Sequence, residues 1–413
     1  MELKQWRGFC LCRDASLGDC VFPPEAEAVH APFAPLVFLV RRDGLKSRGH
    51  FAIDDLSELI EPEDTAALLP AQTRTLSPEL ETLRPFVRAH GASVLNLSFS
   101  RAFSVLSAQK KSKALRVTLV GLGDVGGNVL AALKLLGAEL SELAIYDPDE
   151  SRCRRYELEL NQVLSPDGLP RPRVTIADPA RLFDCDLFLF TASRGVPPVG
   201  TQIADVRMAQ YQSNAALLKP YARAARESGF TGLFCQISDP VDQLSRVVFL
   251  ESNRAPDGTP DLGGLLPEQV RGFGLGVMAA RAAYCARELG VDFSNGRVYG
   301  PHGNGLIVAN DPLHYDPAVS GRLTEATVRA NLRVRELGFK PFLAPAFSSA
   351  AISILQLVRG QVCHSALPMG GAWFGCRSRM TKNGVLTVRE PLDPALYERI
   401  RTAHRALEAC DHA

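Results

Sequence analysis

Long apolar runs are missing from this sequence. The longest are stretches such as Leu36–Val40, far short of the ~20 residues of a membrane-spanning helix, so a soluble protein is expected. The opening Met1-Glu-Leu-Lys-Gln-Trp-Arg7 has no apolar core of the signal-peptide kind, and a cytoplasmic location is the expectation. Net charge is nearly absent at +1, which leaves no general field to draw in nucleic acid or an acidic membrane. No CxxC pair occurs among the ten cysteines. Cys10, Cys12 and Cys20, with His30, therefore lack the spacing of a zinc centre, and small hydrophobes in a reduced protein are the better reading. No metal is expected. Internal repeats and low-complexity tracts are also lacking.

What is present is an ordinary globular composition on a long chain. At roughly 150 residues per domain, 413 residues imply two or three domains. The polar stretch Gln109-Lys-Lys-Ser-Lys113 marks the first break. Before it, strand-like segments at 36–40 and 92–99 alternate with helix-like ones at 54–60 and 78–90. Residues 1–112 thus read as a small N-terminal α+β domain without a motif. After the break, short apolar strands alternate with helices: 117–120, 143–146, 187–190 and 233–237 as strands, with 128–136 and 208–227 as helices. That alternation argues a parallel sheet, a Rossmann-type α/β domain over 113–242. A Gly/Pro-rich loop at 251–267 follows. Beyond it come helices expected at 268–289, 324–338 and 394–410, and an apolar segment at 342–358. Residues 243–413 read as a mixed α+β substrate domain.

The strongest motif is Val117-Thr-Leu-Val-Gly121-Leu-Gly123-Asp124-Val125-Gly126. Gly121 permits a tight turn off the strand, Gly123 lets a diphosphate approach the backbone, and Gly126 lets the next helix pack closely. Asp147 ends the next strand roughly 20 residues on, where an acid accepts from the adenosine ribose hydroxyls. Asp149 adds negative charge and would repel a 2′-phosphate. NAD is favoured over NADP.

Further along, the residues resemble the L-lactate/malate dehydrogenase family over about 115–411. Thr191-Ala192-Ser193 resembles its Thr-Ala-Gly turn, Ser238-Asp239-Pro240-Val-Asp242 its Ser-Asn-Pro-Val-Asp, and Gly300-Pro-His302-Gly-Asn its Gly-Glu-His-Gly-Asp. Gly338-Phe-Lys340 before a small apolar helix resembles its substrate segment. The resemblance implies roles. His302 would exchange the proton at the substrate oxygen, Arg281 would grip a carboxylate through its planar fork, and Arg207 would polarise the substrate from a closing loop. Asn214 and Lys340 would stand near the substrate, and Thr191, Ala192, Ser193 and Ser238 near the cofactor. It also implies a homodimer or homotetramer.

Three departures complicate that transfer. Met278 stands where the family has the aspartate that orients its histidine. Asp239 replaces an asparagine that donates to the substrate oxygen, and an ionised aspartate can only accept. Pro301 and Asn304 replace charged residues. The expected activity is hydride transfer between NAD and a small carboxylate-bearing substrate, a 2-oxo or 2-hydroxy acid or an imine or amine analogue. Asp239 suits a protonated nitrogen, or could serve as the partner of His302. The alternative is a catalytically degenerate NAD-binding protein with a regulatory or partner-binding role.

Overall fold

The structure, a computed structural model, describes residues 1–72, 74–108, 114–165, 167–194 and 206–410, with side chains 206–209 excepted. Its centre is a six-stranded parallel sheet. The first half runs β1 (Leu115–Val120), α1 (Asp124–Leu136), β2 (Leu140–Tyr146), α2 (Glu150–Leu160) and β3 (Arg173–Ile176). The second runs β4 (Leu187–Phe190), α3 (Val206–Glu227), β5 (Leu233–Gln236), α4 (Val241–Ser252) and β6 (Val270–Gly272). Every pairing among these strands is parallel, in the order 3-2-1-4-5-6. Such strands are covered on both faces and are apolar throughout rather than alternating. Phe188, Leu189 and Phe190 of β4 are accordingly all buried. The order reverses between β1 and β4, and the crevice at their carboxyl ends is where this architecture binds ligands.

One expectation fails at β6. The helix expected from 268 is instead a 3-10 turn (Pro267–Gln269), the strand Val270–Gly272, and then α5 (Leu275–Glu288). Arg271 disguised the strand: a charged residue in a three-residue run reads as solvated helix, yet it is fully buried beside Cys235 of β5. The domain boundary expected at 243 lies inside α4. Helix α6 spans Pro317–Glu336, capped at its start by Asp316, which accepts from Ala318 and Val319 N–H. The apolar segment after it forms a π-helical stretch, Pro345–Ile352, continued by Ser353–Val358.

The sheet does not stop at β6. An antiparallel meander (Cys363–Met369, Ala372–Thr381, Gly384–Thr387) continues it, and a single pairing, Val385 with Phe51, joins the strands of residues 1–108. Fifteen strands form one sheet among the described residues. In the amino-terminal part, the expected helix at 78–90 divides into Pro78–Glu81 and Arg84–His90, because Pro85 opens a new first turn. The expected helix at 54–60 is the 3-10 turn Leu56–Leu59.

Buried ions sit at this joint. Arg389 pairs with Glu58 at 2.7 Å and Glu61 at 2.8 Å, and Arg42 pairs with Glu63. Glu268, 5% exposed, accepts at Oε2 from Gly49 N–H at 2.9 Å and His50 N–H at 3.0 Å. Burial pushes its carboxyl up to about 7 from an ordinary 4.5, against the opposing pull of those N–H groups and Arg48. An acid raised on folding stabilises the fold at low pH and loses that contribution as pH rises from 4.5 through 7. The loss amounts to about 3 kcal/mol. His50, pushed down to about 4 by burial, has the opposite slope, losing its contribution as pH falls from 6.5 through 4. Glu268→Gln is therefore expected to gain stability relative to wild type at about pH 8 and little at about pH 5. Denaturant melts at the two pH values check this, and equal differences at both would contradict it.

Candidate active site

The glycine turn occupies the β1–β4 crevice. Gly121 has φ +95°, a conformation that side chains rarely adopt, and a Cβ there would come within 2.6 Å of the Ala192 backbone nitrogen. The turns after β1 and β4 thus touch directly. A Cβ on Gly126 would collide with the Gly121 carbonyl oxygen and approach Thr191 Oγ1 to 2.5 Å. That hydroxyl donates within the crevice, 2.6 Å from Gly121 O and 3.0 Å from Val120 O. Gly123 differs: a Cβ there meets nothing within 4 Å. It is also the N-cap of α1 and, being glycine, offers no side chain to the helix's first N–H groups. Open space before uncapped N–H groups is what an anion requires. Val125 lies half-buried in the first turn.

Asp147 lies under the same turn. Its Oδ2 accepts from Leu122 N–H at 2.7 Å, its Oδ1 from Asp149 N–H at 3.0 Å, and Arg152 reaches it at 3.4 Å. Arg152 also lies 3.6 Å from Asp149, so two carboxylates surround one guanidinium and the edge stays acidic.

The remaining residues of the crevice are tied together by Asn214, 1% exposed on α3. Its carboxamide oxygen accepts from Arg194 N–H at 3.0 Å and lies 3.4 Å from Ser193 Oγ. Its nitrogen donates to the Asp239 carbonyl at 2.8 Å. Ser238 Oγ donates to Ala192 O at 2.7 Å. Asn214, expected at the substrate, is instead a buried clamp between the turns after β4 and β5.

Asp239, held by that clamp, faces His302: Oδ1 lies 3.6 Å from Nε2, and the imidazole is 9% exposed. The His302 backbone is fixed separately, its N–H donating to Asp242 Oδ2 at 2.7 Å. Asp242 was quoted in the sequence only as part of a motif. Its position in the first turn of α4, directly after the Ser238–Pro240 turn, is the signal that could have singled it out. The start of α5 completes this wall, since a Cβ on Gly274 would press on His302 Cβ at 2.7 Å. Met278 and Arg281 follow on one face of α5, with Arg281 Nη1 4.0 Å from Met278 Sδ. Met278 is fully buried and Arg281 half-buried.

Lys340 and Arg207 are the other two residues expected at the site. Lys340 is exposed and pairs with Asp124 Oδ2 at 3.2 Å. It bridges to the first residue of α1, on the rim of the glycine turn. Arg207 belongs to the first turn of α3, but its side chain, like the loop 195–205 before it, lies outside the described residues.

The strand order 3-2-1-4-5-6 and the crevice at its switch point define a doubly wound α/β architecture. No protein-family model matches the chain. It is similar to an L-lactate dehydrogenase of Staphylococcus saprophyticus, 28% identical over 230 residues, 52% of this chain and 67% of that protein. It is also similar to an L-lactate dehydrogenase of Treponema denticola, 30% identical over 200 residues, 48% of this chain and 58% of that protein. Among solved structures, the minor L-lactate dehydrogenase of Enterococcus mundtii gives a TM-score of 0.58 at 20% identity, covering 72% of this chain and 97% of that one. The malate dehydrogenase of Archaeoglobus fulgidus, in complex with NADH, gives 0.56 at 17% identity, covering 71% and 97%. The chain is lactate/malate dehydrogenase-like, with an α/β fold, as residues 115–411 led one to expect. Among the described residues no helix is long and apolar enough to cross a membrane, and no cluster of His, Cys, Asp or Glu is placed to hold a metal ion.

Proposed function

We propose that the protein is an NAD-dependent oxidoreductase that moves a hydride between nicotinamide and carbon 2 of a small carboxylate-bearing substrate. The observation that carries this reading is the meeting, along one edge of the sheet, of an anion-ready glycine turn over Asp147 and a paired His302–Asp239. The residues fit a dinucleotide: Gly121, Gly123 and Gly126 shape room for its diphosphate, the first N–H groups of α1 face it, and Asp147 accepts from its adenosine ribose. When bound, the nicotinamide supplies or accepts the hydride.

Every other step falls to the chain. His302 gives a proton to the substrate's oxygen or nitrogen in reduction and takes it back in oxidation. The Asp239 carboxylate, 3.6 Å from Nε2, favours the charged imidazole that loads this transfer. It takes over electrostatic work that Met278 cannot do. Asp239 also accepts from an N–H, which places imine or amine substrates beside the 2-oxo acids. Arg281 binds the carboxylate, and Arg207 closes over the substrate with the loop ahead of it.

Arg281→Lys keeps the charge but loses the planar fork. It should raise KM for the substrate by about 10-fold or more, the worth of one charged hydrogen bond, with NADH affinity unchanged. An unchanged KM would remove Arg281 from the site. A second reading is favoured by buried Met278: a dinucleotide-binding protein whose chemistry has lapsed. A scan of 2-oxo acids and cyclic imines with NADH, followed by loss of NADH absorbance, separates the two. Turnover with any of them supports the dehydrogenase, whereas NADH binding without turnover across the whole scan supports the lapsed enzyme.

A further inference from the structure

A second cavity, about 240 Å³, opens at the opposite end of the parallel strands from the site above. It lies where the amino ends of β4 and β5 meet residues 1–108 and the hairpin turn at 380–385. Most of its wall is apolar: Val105, Leu233, Leu266 and Met380 line it. Its inner polar group is Glu268. Oε2 is engaged by Gly49 and His50 N–H, but Oε1 is buried in the wall and has no hydrogen-bond partner among the described residues. A buried carboxylate oxygen left in that state is costly, and the usual explanation is a donor that belongs there. One water would answer Glu268 but fill only a fraction of a largely apolar space.

The other charges on the wall narrow the class of occupant. Asp186 already accepts from Arg116 N–H at 2.8 Å, and burial keeps the His50 imidazole neutral near pH 7. Lys382, exposed and therefore at the mouth, makes no ion pair among the described residues. A carboxylate inside, an ammonium at the mouth and aliphatic side chains on the same wall match a zwitterion with an apolar body. We propose that this cavity binds a free α-amino acid with an aliphatic side chain, its ammonium donating to Glu268 Oε1 and its carboxylate meeting Lys382. Because the wall is built from three parts of the chain, occupancy ties residues 1–108 to the cofactor-binding sheet. None of the residues assigned to hydride transfer takes part.

Calorimetric titration of the full chain at about pH 8, where the Glu268 carboxyl is ionised, tests this with three probes of one shape. L-leucine should bind saturably and raise the melting temperature. 3-Methylbutylamine, lacking the carboxylate, should bind about 10-fold more weakly, and 4-methylpentanoate, lacking the ammonium, should bind more weakly still. Glu268→Gln and Val105→Trp should each weaken leucine by about 10-fold or more, with folding followed by circular dichroism. Lys382→Ala, an exposed change that spares the fold, should weaken it by a smaller factor. The proposal is overturned if wild type shows no leucine binding, if 4-methylpentanoate binds as tightly as leucine, or if leucine binding survives these substitutions. That last result would move the amino acid to Arg281. Leucine binding is read without NADH, so failure of the dehydrogenase reading leaves this test intact.

Discussion

His302→Asn should lower the turnover number by about 10²–10⁴-fold, the range for loss of a positioned acid–base group, while NADH affinity stays within error of wild type. Asparagine is close to histidine in bulk, and the backbone N–H that Asp242 holds is untouched, so the loop should keep its course. What disappears, on the proposed reading, is the group that both gives and takes the substrate's proton. Asp239 cannot replace it: as a carboxylate it accepts but has no proton to donate. Asp239→Asn is the companion test. It restores the donor that lactate and malate dehydrogenases carry but removes the charge that loads the imidazole. If Asp239 supports His302, turnover should fall and the pH at which it is fastest should shift downward, because a less favoured imidazolium demands more acid. Turnover that rises in Asp239→Asn would contradict the pairing.

The second large effect concerns the glycine turn, where two neighbouring glycines should behave differently. Gly126→Val places a side chain against the Gly121 carbonyl and Thr191 Oγ1, both fixed by the close packing of two turns. Stability and NADH affinity should fall together, since relieving that collision moves the crevice itself. Overpacking of this kind costs about 1–3 kcal/mol or more. A Cβ at Gly123 meets no atom of the described residues within 4 Å, and Gly123 has an extended backbone that valine tolerates. Its melting temperature should therefore match wild type. NADH affinity should nonetheless fall by about 100-fold, because the branched side chain fills the approach to the helix N–H groups. A turn that merely packs would lose stability in the first variant and lose nothing in the second. Tm and NADH titration on the same two preparations distinguish the cases.

The glycine crevice was legible in the sequence because its requirements are steric and local. Gly121 must turn, Gly126 must admit a neighbour, and Asp147 must end the next strand, and residue identity reports each of these directly. Strand β4 was equally plain, since a run buried on both faces is written in Leu and Phe without interruption. Strand β6 was hidden for the converse reason: Arg271 carries a charge into the core, and no periodicity marks a three-residue strand. Partnerships across long sequence separations were hidden too. Nothing near Lys340 in the chain shows that it reaches Asp124, nor anything near Asn214 that it spans two turns. The His302–Asp239 contact was only half legible. The missing carboxylate at Met278 and the new one at Asp239 implied a substitution of partners, but the 3.6 Å separation belongs to the folded chain. Glu268 gave no warning, because an acidic residue at the expected start of a helix is ordinarily solvated.

Everything proposed for the catalytic edge rests on Asp147 and the glycine turn holding a nicotinamide dinucleotide without a 2′-phosphate. Fluorescence titration of the purified protein with NADH and, in parallel, NADPH addresses this directly. Saturable NADH binding, with NADPH weaker by about 10-fold or more because its phosphate faces Asp147 and Asp149, is the predicted result. No measurable affinity for either coenzyme, or tighter binding of NADPH, would contradict it.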